Sequence, residues 1–310
     1  MKTVHNSIFI AIIAVISFFG FNACKKTDDN NDSTKSIVEI VTTTPKFSTL
    51  AAALTKAGLV NTINQSTALT VFAPTNDAFN ALFTQLKVTG LNDLSAETLK
   101  PILLYHVLGS KVTSSQIASG YVNTLSPGLG AKNLVILLST QGGVKINKST
   151  AVTQADIMAT NGVIHVIDKV LLPNNVVDIA SNNDNFSTLV AALVKADLVN
   201  TLSGSGSFTI FAPTNDAFQA LFTALKVTGI NDLTKEQLTP ILLYHVVAGN
   251  ILSSNLSSGN VTTLNPATIS IMVGTAAVTI NSTTTVTAVD VQGTNGVIHV
   301  INKVLLPPAN

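Results

Sequence analysis

The 310-residue chain has no arginine, no tryptophan, one cysteine and three tyrosines, and only 11% of its residues are charged. Without arginine it lacks the side chain best suited to bidentate phosphate contact, and its 17 lysines are nearly balanced by 16 acidic residues. The first 23 residues carry one of those lysines and no acid, which leaves 16 against 16. A near-neutral surface rich in Thr, Ser and Asn offers no field to a polyanion, so nucleic acid is excluded as a partner. With Tyr105, Tyr121 and Tyr244 as the only tyrosines, aromatic stacking platforms are scarce. One cysteine cannot form an internal disulfide framework. What the chain does have is apolar residues, 46% of the total, enough to fill two domain cores.

Those two cores are written as a repeat. TVFAPTNDAFNALFTQLKVTG (70–90) returns as TIFAPTNDAFQALFTALKVTG (209–229), an offset of 139 residues shared by FSTL and PILLYHV. NGVIHVI (161–167) returns at 295–301 with an offset of 134, so the second copy has lost five residues between LLYH and NGVIHV. Each copy is as long as a domain, which makes this a tandem duplication and not a solenoid.

Residues 1–24 place Lys2 before an apolar run, Ile8–Phe19, that ends at Asn22-Ala23-Cys24. The run is short for a membrane span and sits where a secretory signal belongs. The stretch resembles a bacterial lipoprotein signal, cleaved before Cys24, which then becomes the acylated first residue and the membrane anchor. Two or three acyl chains hold a protein stably where one does not. KKTDDNNDSTKS (25–36) has no apolar residue and reads as a flexible tether, solvated and not a calcium cage despite Asp28, Asp29 and Asp32. Two lysines followed by Asp28-Asp29 also resemble the signal that carries some Bacteroidetes lipoproteins to the outer face of the outer membrane. The expected layout is 1–23 signal, 24–36 lipidated Cys and tether, 37–173 first domain and 174–308 second domain.

Within a copy, helices come first and strands later. The pattern predicts a helix over 46–57 ended by Gly58, a strand over Leu69–Ala73, and a helix after Pro74 capped by Thr75 or Asn76 with Asp77 in its first turn. A further helix follows Ser95. Beyond Gly109 the period shortens to two, with strands in 134–139, 142–157 and 161–172 and a hairpin turn at Asn161-Gly162. The fold class is α+β, with the early strand joining the late antiparallel sheet. The linker after Pro173 is only a few residues, so the two domains form a semi-rigid pair.

FAPTNDAF, LLYHV and NGVIHVIDKVLLP, in this order and twice over, resemble the hallmark regions of the fasciclin (FAS1) domain family. The resemblance implies two tandem FAS1-like domains, each a wedge-like β-sandwich with helices packed at one end. It further implies a non-enzymatic extracellular protein that adheres to matrix, polysaccharide or surface proteins. In animal members an Asp-Ile pair and the Tyr-His signature have been linked to integrin binding. The matching positions are Asp156-Ile157 and Tyr105-His106 in the first copy, and Asp290-Val291 and Tyr244-His245 in the second. A bacterial cell has no integrin of its own, so the same residues are also read as packing residues.

Catalytic and metal chemistry find little support. The domain histidines His106, His165, His245 and His299 lie in apolar runs and read as hydrogen-bonded structural residues. Asp168, the carboxylate nearest His165, becomes Asn302 in the second copy, which argues against a duplicated metal site. No G-x-S-x-G occurs, Gly128-Leu129-Gly130 lacks the context of a phosphate loop, and Asp77 and Asp216 are explained as helix-start residues. A solvent-open histidine in a concave pocket would reverse this reading. The sequence therefore predicts a lipid-anchored, cell-surface adhesion or matrix-interaction protein without cofactor or metal, its surface-protein or polysaccharide ligand unidentified. The alternative is a periplasmic envelope module that binds peptidoglycan or polysaccharide.

Overall fold

The computed structural model describes residues 34–308, and these fall in one compact unit. Cys24, the signal and most of the tether lie outside the described residues. Among the described residues no helix is long and apolar enough to cross a membrane.

Module one runs α1 (Ile37–Thr43), α2 (Ser48–Lys56), α3 (Val60–Gln65), β1 (Leu69–Pro74), α4 (Asn76–Leu86), α5 (Ala96–Leu104) and β2 (Val107–Leu108). It then continues with β3 (Gly120–Pro127), β4 (Asn133–Ser139), β5 (Lys145–Ile146), β6 (Thr150–Ala159) and β7 (Gly162–Ile167). Module two repeats the order with α6 (Val176–Ser181), α7 (Ser187–Lys195), α8 (Val199–Ser203), β8 (Phe208–Pro213), α9 (Asn215–Leu225), α10 (Lys235–Tyr244) and β9 (Val246–Ala248). Its late strands are β10 (Gly259–Thr262), β11 (Thr268–Val273), β12 (Val278–Ile280), β13 (Thr284–Gly293) and β14 (Gly296–Ile301).

Each module holds one seven-stranded sheet, β2-β1-β7-β6-β5-β4-β3 in module one and β10-β11-β12-β13-β14-β8-β9 in module two. The sheet curls until its two ends, β2 and β3, come together, which gives a sandwich with helices on one side. The early strand does join the late sheet, but it lies beside β7 in parallel, whereas its pairing to β2 is antiparallel. β1 is buried along its whole length, as a strand between two neighbours and under helices must be. One apolar cluster sits between the helices and β1–β7, and a second sits under the β3–β5 strands. Module two repeats both.

Local chemistry explains the helix starts. Thr75 Oγ1 accepts the amide proton of Ala78, and Thr214 does the same for Ala217. Asp77 and Asp216 stand exposed in the first turns of α4 and α9, on the positive end of each dipole. α1 and α3 are too short to show a period, although Ser36 and Glu39 form a capping box that marks where α1 begins.

The Asn161-Gly162 turn differs by one position from a type I′ hairpin. Ala159 pairs with Gly162, so the two central residues are Thr160 and Asn161, and neither has positive φ. Gly162 is instead the first residue of β7, where a Cβ would lie 2.1 Å from the carbonyl oxygen of Leu69. The glycine is there for close approach of β7 to β1. Asn161 ties α1 and α3 to the sheet, since its Oδ1 accepts the amide of Ile37 at 2.9 Å and its Nδ2 donates to Ile63 O at 2.8 Å.

Candidate interaction surfaces

The Tyr-His signature residues are core residues. Tyr105 is fully buried and its hydroxyl donates to Val135 O at 2.7 Å; Tyr244 donates to Thr268 O at 2.9 Å. Burial pushes the Tyr105 phenol up to about 12. His106 and His245 are 1% and 2% exposed. His106 Nδ1 donates to Ile102 O and its Nε2 accepts the amide of Leu171, both at 2.8 Å. His245 makes the same pair with Ile241 O and the amide of Leu305. An amide can only donate, so Nε2 carries no proton and the ring is neutral. Burial accordingly lowers both histidines to about 4. The empty space beside each is about 10 Å³, one water at most. Tyr105, His106, Tyr244 and His245 therefore have no face to offer a partner, because each is consumed in packing.

His165 and His299 take the opposite tautomer. His165 Nδ1 accepts the amide of Asp156 at 3.2 Å and its Nε2 donates to Val112 O at 2.9 Å. His299 repeats this with Asp290 at 3.4 Å and Ile251 O at 2.9 Å. All four rings thus spend both nitrogens on backbone. Among the described residues no group of three or more His, Cys, Asp or Glu is arranged to hold a metal. The exchange of Asp168 for Asn302 is also explained: one oxygen of each accepts a strand amide, Ala151 or Thr285, at 2.8 Å, and a side-chain amide accepts there as well as a carboxylate.

The Asp pairs sit on bulges. Asp156 has φ 59° and Asp290 φ 60°, at register shifts of β6 against β7 and of β13 against β14. The bulge turns the carboxylate sideways onto a serine: Asp156 accepts from the amide of Ser114 at 2.8 Å and from its hydroxyl, and Asp290 accepts both from Ser253 at 2.7 Å. Partial burial would raise the Asp156 carboxyl, but the Ser114 bonds outweigh it and the net shift is downward.

The two copies then diverge. Lys132 of module one places Nζ 3.3 Å from Asp290, and the Asp290 side chain is 12% exposed where Asp156 is 32% exposed. Val291 is buried, whereas Ile157 is half-buried. The cover is the β3–β4 loop of module one. A Cβ on Gly128 would lie 2.8 Å from Gln292, and one on Gly130, whose φ is +65°, 3.1 Å from Asn250 and 3.2 Å from Leu252. Beneath the loop, the Asn250 and Gln292 amides bond reciprocally. Module two cannot build such a loop. In module one Gly120 pairs with Leu138, 18 residues on, but Gly259 pairs with Ile271, only 12 on. The following turn is one residue longer in module two, which accounts for the net loss of five. Val135 joins the module-two core, Tyr121 OH accepts from Asn183 Nδ2 at 2.9 Å, and Lys148 pairs with Asp184.

The profile of the fasciclin domain matches this chain twice, over residues 45–173 and 184–307. The chain belongs to the fasciclin domain family. Protein sll1483 of Synechocystis is 46% identical over 133 residues, covering 43% of this chain and 73% of that protein. The transforming growth factor-beta-induced protein ig-h3 of Sus scrofa is 30% identical over 242 residues, covering 77% of this chain but only 34% of its own length. The chain therefore spans about a third of that relative. A solved FAS1 domain pair from the insect cell adhesion molecule fasciclin I superposes with a TM-score of 0.51 at 20% identity, over 84% of this chain and 97% of that one. The fold is thus two tandem FAS1 domains, and the second presents its Asp-bulge surface to the first.

Proposed function

We propose that this fasciclin-domain chain is a non-catalytic adhesion or matrix-interaction protein, held by an acylated Cys24 on the outer face of the outer membrane and making contact through module one. The observation that carries the reading is the inequality of the two Asp bulges: Asp156 keeps a 32% exposed side chain beside a half-buried Ile157, while Asp290, 12% exposed, lies under Lys132 beside a buried Val291. Support for a non-catalytic role comes from the four domain histidines, whose ring nitrogens are all engaged and leave no free imidazole among the described residues. The relative described as an insect cell adhesion molecule supports adhesion as the class of activity.

The test is protease shaving of intact cells, with mass spectrometry of released domain peptides and of Cys24, alongside attachment of the same cells carrying Asp156→Asn. Release from intact cells, an acylated Cys24 and weaker attachment are expected. Protection until the outer membrane is broken would instead place the chain in the periplasm, among envelope partners.

A further inference from the structure

Between the modules runs a cleft of about 870 Å³, within the range of small-ligand sites, roughly 300–1,000 Å³. One wall is the outer face of β3–β5 of module one. The other is the segment after α6, Asn182–Phe186, with part of β13. Neither module has this cleft alone; the β3–β4 loop holds its two walls against each other, and the exposed Lys148–Asp184 pair bridges them.

We propose that the cleft is a binding site for a neutral oligosaccharide. Its floor is a cross-strand pair, Tyr121 opposite Leu137. At the same register module two carries Asn260 opposite Ser270, both exposed, so a module by itself does not require an apolar pair there; docking against module two accounts for part of Tyr121 but not for Leu137. Leu137 belongs to none of the core clusters yet is only half-buried. Tyr121 is half-buried, the one tyrosine of the three that reaches solvent; part of its ring packs against the module-two core, and the bond from Asn183 to its hydroxyl holds it in place with the remainder facing the cleft. An oriented ring beside a leucine is a flat apolar surface of the kind that the C–H face of a pyranose covers.

The surrounding groups fit hydroxyls. The side-chain amides of Gln141, Asn182 and Asn185 line the cleft and have no hydrogen-bond partner among the described residues. Each offers two donors and an acceptor, matching the mixed character of sugar hydroxyls. Lys148 is already neutralised by Asp184, which leaves Lys145 as a lone cation and no cluster to select a polyanion. The proposal is independent of the anchor and of the Asp156 surface.

The test is binding of the full chain to a glycan array bearing neutral hexose and N-acetylhexosamine oligomers beside uronic and sulfated ones. Retention on neutral oligomers is expected, with at least about a tenfold loss of affinity in Tyr121→Ala, equivalent to about 1.4 kcal/mol. Because Tyr121→Ala can also loosen the two modules, the rim double variant Gln141→Ala/Asn185→Ala, which touches no inter-module bond, should lose affinity while the modules stay docked. No binding to any neutral oligomer, binding only to acidic ones, or binding unchanged in the rim variant would each overturn the proposal.

Discussion

Nε2 of His106 accepts the backbone amide of Leu171 at 2.8 Å across 65 residues of chain, so the imidazole must be unprotonated for the last strand's exit to stay tied to α5. His245 and Leu305 repeat the bond in module two. These pairs make the fold acid-sensitive. Both histidines sit at about 4 in the folded chain, below an unfolded value of about 6.5. The unfolded chain therefore takes the proton first: stability is complete above about pH 6.5 and is lost as pH falls toward 4, by about 3 kcal/mol per histidine. Urea unfolding across that window should show it. In His106→Gln/His245→Gln the deficit against wild type should be largest near neutral pH and shrink toward pH 4; a constant deficit would contradict the assignment.

Gly162→Ala and Gly296→Ala should be among the most damaging small substitutions in the chain. The new methyl would lie 2.1 Å from Leu69 O in one case and 2.2 Å from Phe208 O in the other, so the parallel pairing of β7 with β1, or of β14 with β8, has to open. A loss of about 3 kcal/mol or more is expected in thermal or urea unfolding.

Asn161 separates a donor role from an acceptor role. Asn161→Asp keeps the acceptor for the Ile37 amide but sets an oxygen against Ile63 O, whereas Asn161→Ala removes both bonds. Both variants should lose about 1–3 kcal/mol. Hydrogen exchange should find α3 loosened in both, and the start of α1 loosened only in Asn161→Ala.

The module interface should depend more on shape than on charge. Lys132 is nearly half exposed, so Lys132→Ala is expected to cost little, less than about 1 kcal/mol. Gly130→Val demands a branched residue at φ +65° against Asn250 and Leu252, and should undock the loop. Small-angle scattering should report a longer particle for Gly130→Val and an unchanged one for Lys132→Ala. Unchanged scattering from both would mean that the loop does not hold the modules.

The repeat, the α+β order and the start of α4 are legible in the sequence because each rests on local chemistry: a repeated string, a change of period, Thr75 before Asp77. β3 is not, since its burial follows no strict alternation and its face is divided between its own sheet and the neighbouring module. α1 leaves a trace in the capping box of Ser36 and Glu39, without a period to support it. The Tyr-His and Asp-Ile pairs are visible as strings, but which of them reach solvent depends on partners such as Leu171 and Lys132, far away in sequence. Gly128-Leu129-Gly130 carries no phosphate-loop context, and its use in docking shows in the sequence only as the larger of the two places where the copies differ in length.

That length difference gives the pair a direction. Module one carries the plug and module two the socket, lined by Asn250, Leu252 and Gln292, while the same positions in module one are Lys111, Thr113 and Met158. A chain built with the two domains in reverse order would bring a plugless surface to a socket of the wrong shape. Duplication made the copies alike; the loop makes them non-interchangeable, so the assembly has a front and a back although its halves share one fold.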